Sequence, residues 1–480
     1  MLSTWVLSTL LTVVCAFDVF TAHEPSQLFN SHPTLSDEKR QSFRNFKLIR
    51  ITPRKWQHLE YLRHLYEGSS PYQLDFWQPP SHVGALVDVV VSPQDARIFV
   101  DDLKTKRIKF IVAINDLQQA IDGERSGKQK NNSLSDEMFH FNKYNRFDLI
   151  EEQMRKMRDE NPKIVTLIEI GKSYENRSLT IVKLGTKRNV GNKDAIWIDG
   201  GIHAREWIAP AVALNIINEL IASNHNDSTS KNLLDSIDWY ILPVMNPDGY
   251  EHSHTKNRMW RKNRRPTKCR KNNFQTVCCI GVDLNRNFDW FWASSGSSAD
   301  PCHETYHGTR SFSEPESKAV KEFLELNPPK AFITLHSYSQ MWLIPYGHRR
   351  KSYPNDYSSA LKPLANRAIR ALRTVHGTKY SIGTGADLMY EASGSSQDWA
   401  KGKLHVPYAY LIELRPESAT FANGFLLPEH EIKPTSEEIW VAIKVIAEEI
   451  IAQSMRRSTS IEPITESREF YLESVILIFS

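Results

Sequence analysis

The sequence predicts two successive α/β units, a small one followed by a large one in which helices flank a mixed, doubly wound sheet. The first observation is size, because 480 residues with 40% hydrophobic content exceed one ordinary domain. The second is that short apolar runs alternate with helix-period segments from residue 141 onward, as in doubly wound domains. The third is a shorter alternation of the same kind over residues 43–121.

An apolar run at the N-terminus predicts a secretory signal peptide over residues 1–16. Residues 5–14 carry no charged side chain and are too few to span a bilayer. The run ends in Val-Cys-Ala, which suits signal peptidase, and Phe-Thr-Ala at 20–22 is an alternative end. A buried N-terminal strand is the competing interpretation. Three Asn-x-Ser sequons suit an exported surface, and they begin at Asn131, Asn176 and Asn226.

The small unit contains three apolar segments of strand length, at 46–51, 84–91 and 108–114. Between the first two, an apolar residue recurs every three positions. This spacing predicts one buried helix face made of Trp56, Leu59, Leu62 and Leu65. Strands and a helix within such a short stretch fit an open α/β sandwich.

A polar, glycine-bearing stretch at 122–133 follows the small unit. It has no apolar periodicity, so we expect an exposed connector. A trypsin-like protease could cut it after any of three basic residues, Arg125, Lys128 or Lys130. A plain linker is the alternative, and the residues alone leave both open.

The large unit begins with a series of elements that the apolar pattern separates clearly. In order, we expect a helix at 148–157, strands at 164–170, 179–185 and 195–200, a helix at 209–221, a strand at 239–245 and a Pro-Asp-Gly turn at 247–249.

The strand at 195–200 runs into two glycines and delivers His203 and Glu206 to a turn. Because these two residues are three apart, on a helical turn they project to the same side and can hold one ion. An apolar run that ends at His336 offers a third ligand. Two imidazoles and one carboxylate leave a fourth position for water, which is the pattern of a catalytic zinc site. For His-x-x-Glu taken alone, an accidental surface turn is the alternative.

The two motifs carry a family resemblance. His-Ala-Arg-Glu-Trp at 203–207, followed far downstream by Leu-His-Ser-Tyr-Ser-Gln at 335–340, resembles the zinc metallocarboxypeptidases of the pancreatic carboxypeptidase A and B type. The similarity runs in order from about residue 45 to 455 and implies a carboxypeptidase-like fold behind a ferredoxin-like activation domain. Together with the N-terminal apolar run, it predicts these segments: signal peptide 1–16, propeptide 17–130 with the activation domain at about 43–121, catalytic domain 131–455, and a C-terminal tail 456–480 with no assigned role.

The resemblance also implies the residues of the reaction. Zinc would be held by His203, Glu206 and His336, with Asp283 orienting the first histidine. Glu413, in a Glu-Leu-Arg motif, would be the general acid and base, and Arg261 would stabilise the oxyanion. From the residues alone, Glu413 ends an apolar strand where a carboxylate is costly without a function or a partner, and an ion pair with Arg415 is the alternative.

A peptidase acting at a free C-terminus must bind a carboxylate, which a guanidinium does with two parallel hydrogen bonds. The resemblance assigns this task to Asn285 and Arg286 and places Tyr390 as a mobile ring that closes over them. It assigns the rest of the substrate contacts to Arg205, Arg258, Ser337 and Tyr338. Taken singly, a loop arginine and a packed tyrosine would be structural.

Cysteine usage predicts two disulfides in the exported chain. Cys15 leaves with the signal peptide, and adjacent Cys278 and Cys279 rarely bridge each other, which leaves two pairings with Cys269 and Cys302. The resemblance selects Cys279 with Cys302, and therefore Cys269 with Cys278. A zinc knuckle is the alternative, but the histidine spacing is wrong for it.

Composition argues against two classes of partner. A formal net charge of +4 is small for this length and calls for neither nucleic acid nor an anionic membrane. The basic run at 258–265 lacks a repeating aromatic platform for bases. The apolar run at 475–479 is too short to cross a bilayer. We therefore expect no nucleic acid partner and no membrane span.

The family's specificity position carries Gln397, where an aliphatic residue accompanies apolar substrates and an aspartate accompanies Lys or Arg. A glutamine lacks the charge that would hold a buried cation, so we disfavour a strict preference for basic residues. The remaining pocket positions are apolar or small and favour large aliphatic or aromatic side chains: Leu343, Met389, Leu411, Gly347 and Gly385. The amide could also hydrogen-bond a polar side chain such as Gln or Asn.

These observations lead to one functional hypothesis and two alternatives. We expect a secreted, extracellular zinc carboxypeptidase, with a digestive lumen as one candidate compartment, made as a zymogen and activated by a trypsin-like protease. It would release single residues from peptide and protein C-termini. A peptide-binding relative without activity would be expected to lack a zinc ligand or the catalytic glutamate. An intracellular peptide-trimming enzyme is disfavoured by the signal peptide and the activation domain.

Overall fold

The computed structural model describes residues 40–68, 70–125, 138–187, 193–226, 228–271, 276–418 and 423–459. Several expectations lie outside these residues: the signal peptide with either end, Lys128, Lys130 and Asn131 of the connector, and the tail beyond residue 459. Within the described residues, no helix combines the length and the apolarity needed to cross a bilayer.

The first domain is a four-stranded antiparallel sheet with helices. Its elements are β1 (Lys47–Thr52), α1 (Trp56–Tyr66), β2 (Leu74–Gln78), β3 (Val87–Val91), α2 (Ala96–Thr105), β4 (Lys109–Ile114) and α3 (Leu117–Glu124). The strand order is β2, β3, β1, β4. The predicted small α/β domain is confirmed, although β2, α2 and α3 were not among the elements that the sequence predicted.

Helix α1 buries Leu59, Leu62 and Leu65, but Trp56 is 59% exposed and does not belong to the buried face. The reason is geometric. A step of three residues falls about 60° short of a full helical turn, so three such steps carry Trp56 to the side opposite Leu65. The Arg63 guanidinium covers the exposed ring at 5.4 Å from its centre.

The second domain is built on an eight-stranded mixed sheet, as predicted. Its strands, in sheet order, are β13 (Ser381–Thr384), β12 (Met341–Ile344), β14 (Tyr408–Glu417), β11 (Ala331–Ser339), β7 (Asp194–Gly200), β8 (Ile237–Leu242), β6 (Ser178–Leu184) and β5 (Val165–Lys172). The four central strands, from β14 to β8, run parallel. The strands towards either edge include antiparallel pairings.

Helices cover both faces of this sheet. They are α4 (Phe147–Glu160), α5 (Ile208–Asn226), α6 (Ser228–Ser236), α7 (Pro247–Thr255), α8 (Pro315–Leu326), α9 (Lys362–His376), α10 (Gly385–Leu388), α11 (Ser396–Gly402) and α12 (Ile432–Thr459). Strand β7 shows how the layers alternate: Ile196 and Ile198 join the core formed with α5, α9 and α12. Trp197 joins the opposite core with α8 and α11. A central strand buried on both faces reads as a continuous apolar run.

The turn predicted at Pro247-Asp-Gly is wrong, because these residues begin helix α7. Asn246 caps the helix, since its Oδ1 accepts a hydrogen bond from the Gly249 backbone N–H at 3.0 Å. Pro247 occupies the first helical turn, where its missing N–H costs nothing. The same residue types favour turns and helix starts, so the local pattern did not distinguish them.

A small hairpin outside the main sheet, β9 (Pro266–Lys271) with β10 (Thr276–Ile280), carries both disulfides. Cys269 bonds to Cys278 across the hairpin. Cys279 bonds to Cys302 and closes the loop that contains residues 284–286. The predicted pairing is confirmed.

A buried carboxyl group at the start of α8 has an unusual titration. Glu316 is fully buried, and its Oε2 accepts a hydrogen bond from the Asn263 side chain at 3.1 Å. Burial, with a smaller contribution from the neighbouring carboxylates Glu314 and Asp248, raises the pKa of Glu316 from its usual 4.5 to about 8. Glu316 is therefore protonated at neutral pH.

This group makes the free energy of unfolding depend on pH. Because the folded pKa lies above the unfolded value, the contribution of Glu316 is fully present below pH 4.5 and is lost as the pH rises to about 8. In that window stability falls by up to about 1.4 kcal/mol per pH unit. We expect Glu316→Gln to gain stability relative to the natural protein as the pH rises, measured by urea unfolding between pH 5 and pH 8.

The matched control is Glu322→Gln, an exposed position on the same helix. Its stability difference from the natural protein should stay constant across the pH range. A constant difference for Glu316→Gln as well would contradict the prediction.

Candidate metal centre and cleft

The metal-ligand motif lies in a tight turn between β7 and α5. Gly201 has φ +67°, and a Cβ at this position would lie 2.9 Å from Pro210 Cγ, so a side chain does not fit. His203 and Glu206 follow in a turn closed by a hydrogen bond from the Glu206 N–H to the His203 carbonyl at 3.3 Å. The expected helical turn is wrong in detail, because α5 begins only at Ile208.

Three predicted metal ligands converge at this turn. Nδ1 of His203 lies 2.8 Å from Glu206 Oε1, and Nδ1 of His336 lies 3.2 Å from Glu206 Oε2. One ligand atom from each residue lies within 4.8 Å of the others, and all three residues are buried. Two imidazole nitrogens and a carboxylate are the donor set of a catalytic zinc site. The residues present therefore fit zinc.

The electrostatics of the three groups favour a bound cation. Burial opposes the ionisation of Glu206, but His203 and His336 together outweigh it and lower the pKa of the carboxyl group. Glu206 also accepts a hydrogen bond from the Ser337 backbone N–H at 3.2 Å. Ser337, which the sequence predicts to bind substrate, is buried.

Asp283 joins the metal ligands to the predicted catalytic arginine. Its Oδ1 lies 3.2 Å from Nε2 of His203, and its Oδ2 accepts hydrogen bonds from Arg261 at 2.9 and 3.1 Å. Burial opposes the charge on Asp283, but Arg261, Arg286 and His203 hold the pKa of this carboxyl well below its usual range. A charged Asp283 keeps a proton on Nε2 of His203 and leaves Nδ1 free to bind metal.

Glu413 faces His336 directly, because these two residues are register partners in the parallel pairing of β14 with β11. Its Oε2 is buried without a hydrogen-bond partner among the described residues. Burial, and then the nearby Glu206 carboxylate, raise the pKa of Glu413 well above its usual value. The alternative ion pair with Arg415 does not form, since that guanidinium bonds to Glu431 and Glu438.

Asn285 and Arg286 lie in one short 3₁₀ turn, Leu284–Arg286. Oδ1 of Asn285 accepts a hydrogen bond from the Ser396 N–H at 2.9 Å. Arg286 is 2% exposed and donates to the Gly296 carbonyl at 2.8 Å. Its side chain is therefore fixed before any ligand arrives.

Three predicted substrate-binding residues are engaged by the first domain. Arg205 donates to both carboxylate oxygens of Asp75 at 3.1 Å. Arg258 donates from Nε to Glu124 at 2.7 Å, and its guanidinium lies 3.6 Å from the centre of the Trp207 ring. The Tyr338 hydroxyl donates to Asp88 at 2.8 Å. The first domain thus covers the cleft with three carboxylates.

Sequence reasoning missed all three of these carboxylates. A signal existed for Asp88, because it is the one charged residue in the fully buried strand β3, where it pairs with Arg50 at 2.8 Å. Asp75 and Glu124 lie in mixed segments, and no local pattern marks them.

The cover leaves space above the cleft. A cavity of about 340 Å³ lies between the two domains, with Tyr66 and Asp75 on one side and Arg205, Arg261 and Tyr390 on the other. Burial raises the pKa of Tyr66 to about 12. Tyr390 is half-buried and borders this space.

The residues predicted to form the specificity pocket also come together. A Cβ on Gly347 would lie 3.8 Å from Gln397 Nε2, and one on Gly385 would lie 3.7 Å from Leu343 Cδ1. Leu343 is the register partner of Leu411. Met389 is half-buried and donates its N–H to the Gly385 carbonyl at 2.9 Å.

Comparison with known proteins gives consistent matches over both domains. The family model described as zinc carboxypeptidase matches residues 150–442, and that described as carboxypeptidase activation peptide matches residues 49–124. Mouse carboxypeptidase A2 is 38% identical over 418 residues, which cover 85% of this chain and 95% of that protein. Human carboxypeptidase B is 35% identical over 417 residues, which cover 86% and 94% respectively. The crystal structure of thrombin activatable fibrinolysis inhibitor aligns with a TM-score of 0.75 at 34% identity, covering 85% of this chain and 100% of that one.

The contact between Asp283 and His203 predicts an effect on metal affinity. We expect Asp283→Asn to weaken zinc binding by about 10- to 100-fold, because a neutral partner orients the imidazole less strongly. The zinc dissociation constant, measured by competition with a chelator, checks this. Asp289→Asn is the control, since that aspartate is exposed and pairs with Lys403 at 3.4 Å. Equal affinities in the two variants would refute the role of Asp283.

Proposed function

Because this chain belongs to the zinc carboxypeptidase family and carries that family's activation peptide, we propose that His203, Glu206 and His336 hold its zinc ion. The chain is a metallocarboxypeptidase made as a zymogen. The proposed reaction releases one residue per turnover from peptide and protein C-termini. The observation that carries it is the buried convergence of the three ligands, with Glu413 in register beside His336.

Zinc, when bound, supplies a Lewis acid for the scissile carbonyl and makes a nearby water more acidic. Glu413 accepts the proton of the attacking water and returns it to the leaving amine. Burial and the nearby Glu206 carboxylate raise the pKa of Glu413, which makes it a stronger proton acceptor than an ordinary carboxylate. Arg261, held by Asp283, is placed to donate to the oxyanion that forms on the carbonyl.

Recognition of the free C-terminus falls to Asn285 and Arg286. Both side chains are buried, and Arg286 is anchored by the Gly296 and Asn285 carbonyls. A guanidinium fixed in this way binds a carboxylate without a large loss of side-chain entropy. Tyr390, at the border of the cavity, is the ring proposed to close over the bound terminus.

The residues contacted by the first domain support a block of the outer cleft in the zymogen. Asp75, Glu124 and Asp88 occupy Arg205, Arg258 and Tyr338, which are the proposed contacts for the upstream part of a peptide. Activation then requires cleavage in the connector, and a trypsin-like protease suits its basic residues. Of the three proposed cleavage sites, Arg125 lies among the residues that the structure describes, and its guanidinium contacts Nδ1 of His254 at 3.1 Å. We propose an extracellular place of action on the basis of the predicted signal peptide.

The pocket for the terminal side chain supports a preference for neutral residues. Gln397 brings no charge, and Leu343 and Leu411 supply apolar walls. Burying an aliphatic or aromatic side chain against such walls contributes about 1.5 to 3 kcal/mol. A lysine or arginine would lack a charged partner at Gln397.

Removing the proposed acid and base should slow turnover strongly without removing the metal. We expect Glu413→Gln to lower kcat by about 10²- to 10⁴-fold on a blocked dipeptide after trypsin treatment. Zinc content, measured by atomic absorption, should stay at one ion per chain. Glu448→Gln, at an exposed position of α12, should keep the natural rate. Full activity of Glu413→Gln would refute the mechanism.

The covering domain predicts latency towards larger substrates. Before trypsin treatment we expect little release of residues from a long peptide, and a rise in rate afterwards, because the three carboxylates leave with the first domain. Glu124→Gln should raise the rate before treatment, since loss of one partner of a buried ion pair costs the covered state roughly 3 to 5 kcal/mol.

The control for this experiment is Glu60→Gln, on the exposed side of α1. It should leave the latency intact. Equal rates before and after trypsin treatment of the natural chain would show that the first domain does not block the cleft.

A further inference from the structure

The Gln397 side chain has a buried polar atom that the fold leaves without a partner. The residue is 6% exposed, and its Oε1 has no hydrogen-bond partner among the described residues. A buried amide acceptor left unpaired costs about 1 to 3 kcal/mol. A donor on a bound substrate would satisfy this atom.

The amide lies beside two glycines at which a methyl group would fit with ordinary van der Waals contacts. A Cβ placed on Gly347 would have no neighbour closer than 3.7 Å, and one on Gly385 would also have none closer than 3.7 Å. Nε2 of Gln397 is 3.8 Å from the first of these positions. The two missing side chains therefore leave room that the Gln397 amide borders.

This position is held rigidly. Oδ2 of Asp398 accepts hydrogen bonds from the Gly347 N–H at 2.7 Å and the His348 N–H at 3.1 Å. Asp398 is fully buried. The residue next to Gln397 thus fixes the glycine that faces the amide.

The amide is also tied to the proposed carboxylate-binding pair. Ser396, the preceding residue, donates its N–H to Oδ1 of Asn285. Gly394 packs so closely that a Cβ there would lie 2.3 Å from the Arg286 carbonyl. A substrate whose terminal carboxylate is held by Asn285 and Arg286 therefore directs its last side chain towards Gln397.

We infer that this enzyme prefers a C-terminal residue whose side chain ends in a primary amide, glutamine above all. The inference rests on the proposed function and names its substrate class. A glutamine side chain offers a donor to Oε1 of Gln397 and an acceptor to its Nε2, so two amides pair through two hydrogen bonds. The two methylene groups of the substrate lie against the apolar walls formed by Leu343 and Leu411.

Other side chains satisfy the site less well. An apolar side chain of equal length leaves Oε1 unpaired. A glutamate would bring a negative charge near the buried Asp398 carboxyl group and would offer no donor. A lysine or arginine would be buried against a neutral amide, although Oδ1 of Asp398 is itself unpartnered and makes a basic residue the alternative to be tested.

The experiment compares kcat/KM for blocked dipeptides that share the penultimate residue and end in Gln, Met, Leu, Glu or Arg. The enzyme is the full chain activated by trypsin. We expect the glutamine substrate to exceed the methionine substrate by about tenfold, because the two side chains have similar length and differ in hydrogen bonding. In Gln397→Met this ratio should fall to about one or below. Gln153→Met, a half-buried change on α4, should leave the ratio of the natural enzyme unchanged.

Each outcome decides something. The ratio is taken within one preparation, so the fraction of active enzyme does not affect it. A natural enzyme that releases Met, Leu or Arg faster than Gln overturns the inference while leaving the proposed function intact. Failure to release a residue from any of the five substrates overturns the proposed function and this inference with it. If Gln397→Met does not fold, the ratio in the natural enzyme alone decides.

Discussion

The parallel pairing of β11 with both β7 and β14 is the constraint on which the site depends. It places the end of β7, which leads to His203 and Glu206, beside the strand that carries His336. It also places Glu413 directly opposite His336. A shift of either neighbouring strand by one residue would turn every side chain of that strand to the other face of the sheet. The apolar residues that fill both faces of these strands therefore hold the polar centre in place.

Charged side chains near the metal ligands are paired with neighbours of opposite charge. Asp283 contacts His203 on one side and Arg261 on the other, so one buried carboxylate positions a metal ligand and the proposed oxyanion donor together. The lowered pKa of Asp283 keeps this carboxyl group charged at neutral pH. Asp398 also serves two partners, because one of its carboxylate oxygens accepts hydrogen bonds from two backbone N–H groups of the pocket loop.

The sequence was informative where function is encoded in short motifs with fixed spacing. His203, Glu206 and the run containing His336 could be recognised, because zinc coordination demands particular residue types. Helix boundaries near Pro247 and the orientation of Trp56 were misjudged, since local patterns are compatible with more than one geometry. The contacts of Asp75 and Glu124 could not be predicted. They arise only when the two domains pack together, and the local sequence around each carboxylate does not indicate which residue it will contact.

The ion pairs between the domains have an electrostatic consequence for the enzyme after activation. Arg205 and Arg258 are 2% and 4% exposed, and each is matched by one carboxylate of the first domain. When that domain leaves, the cleft keeps both guanidinium groups and loses both counter-charges. The side of the cleft that carries these two arginines then has a positive electrostatic potential. This potential extends over a Debye length of about 8 Å at physiological salt. The C-terminal carboxylates of diffusing peptides are then attracted towards the cleft, and peptide binding becomes faster as ionic strength falls.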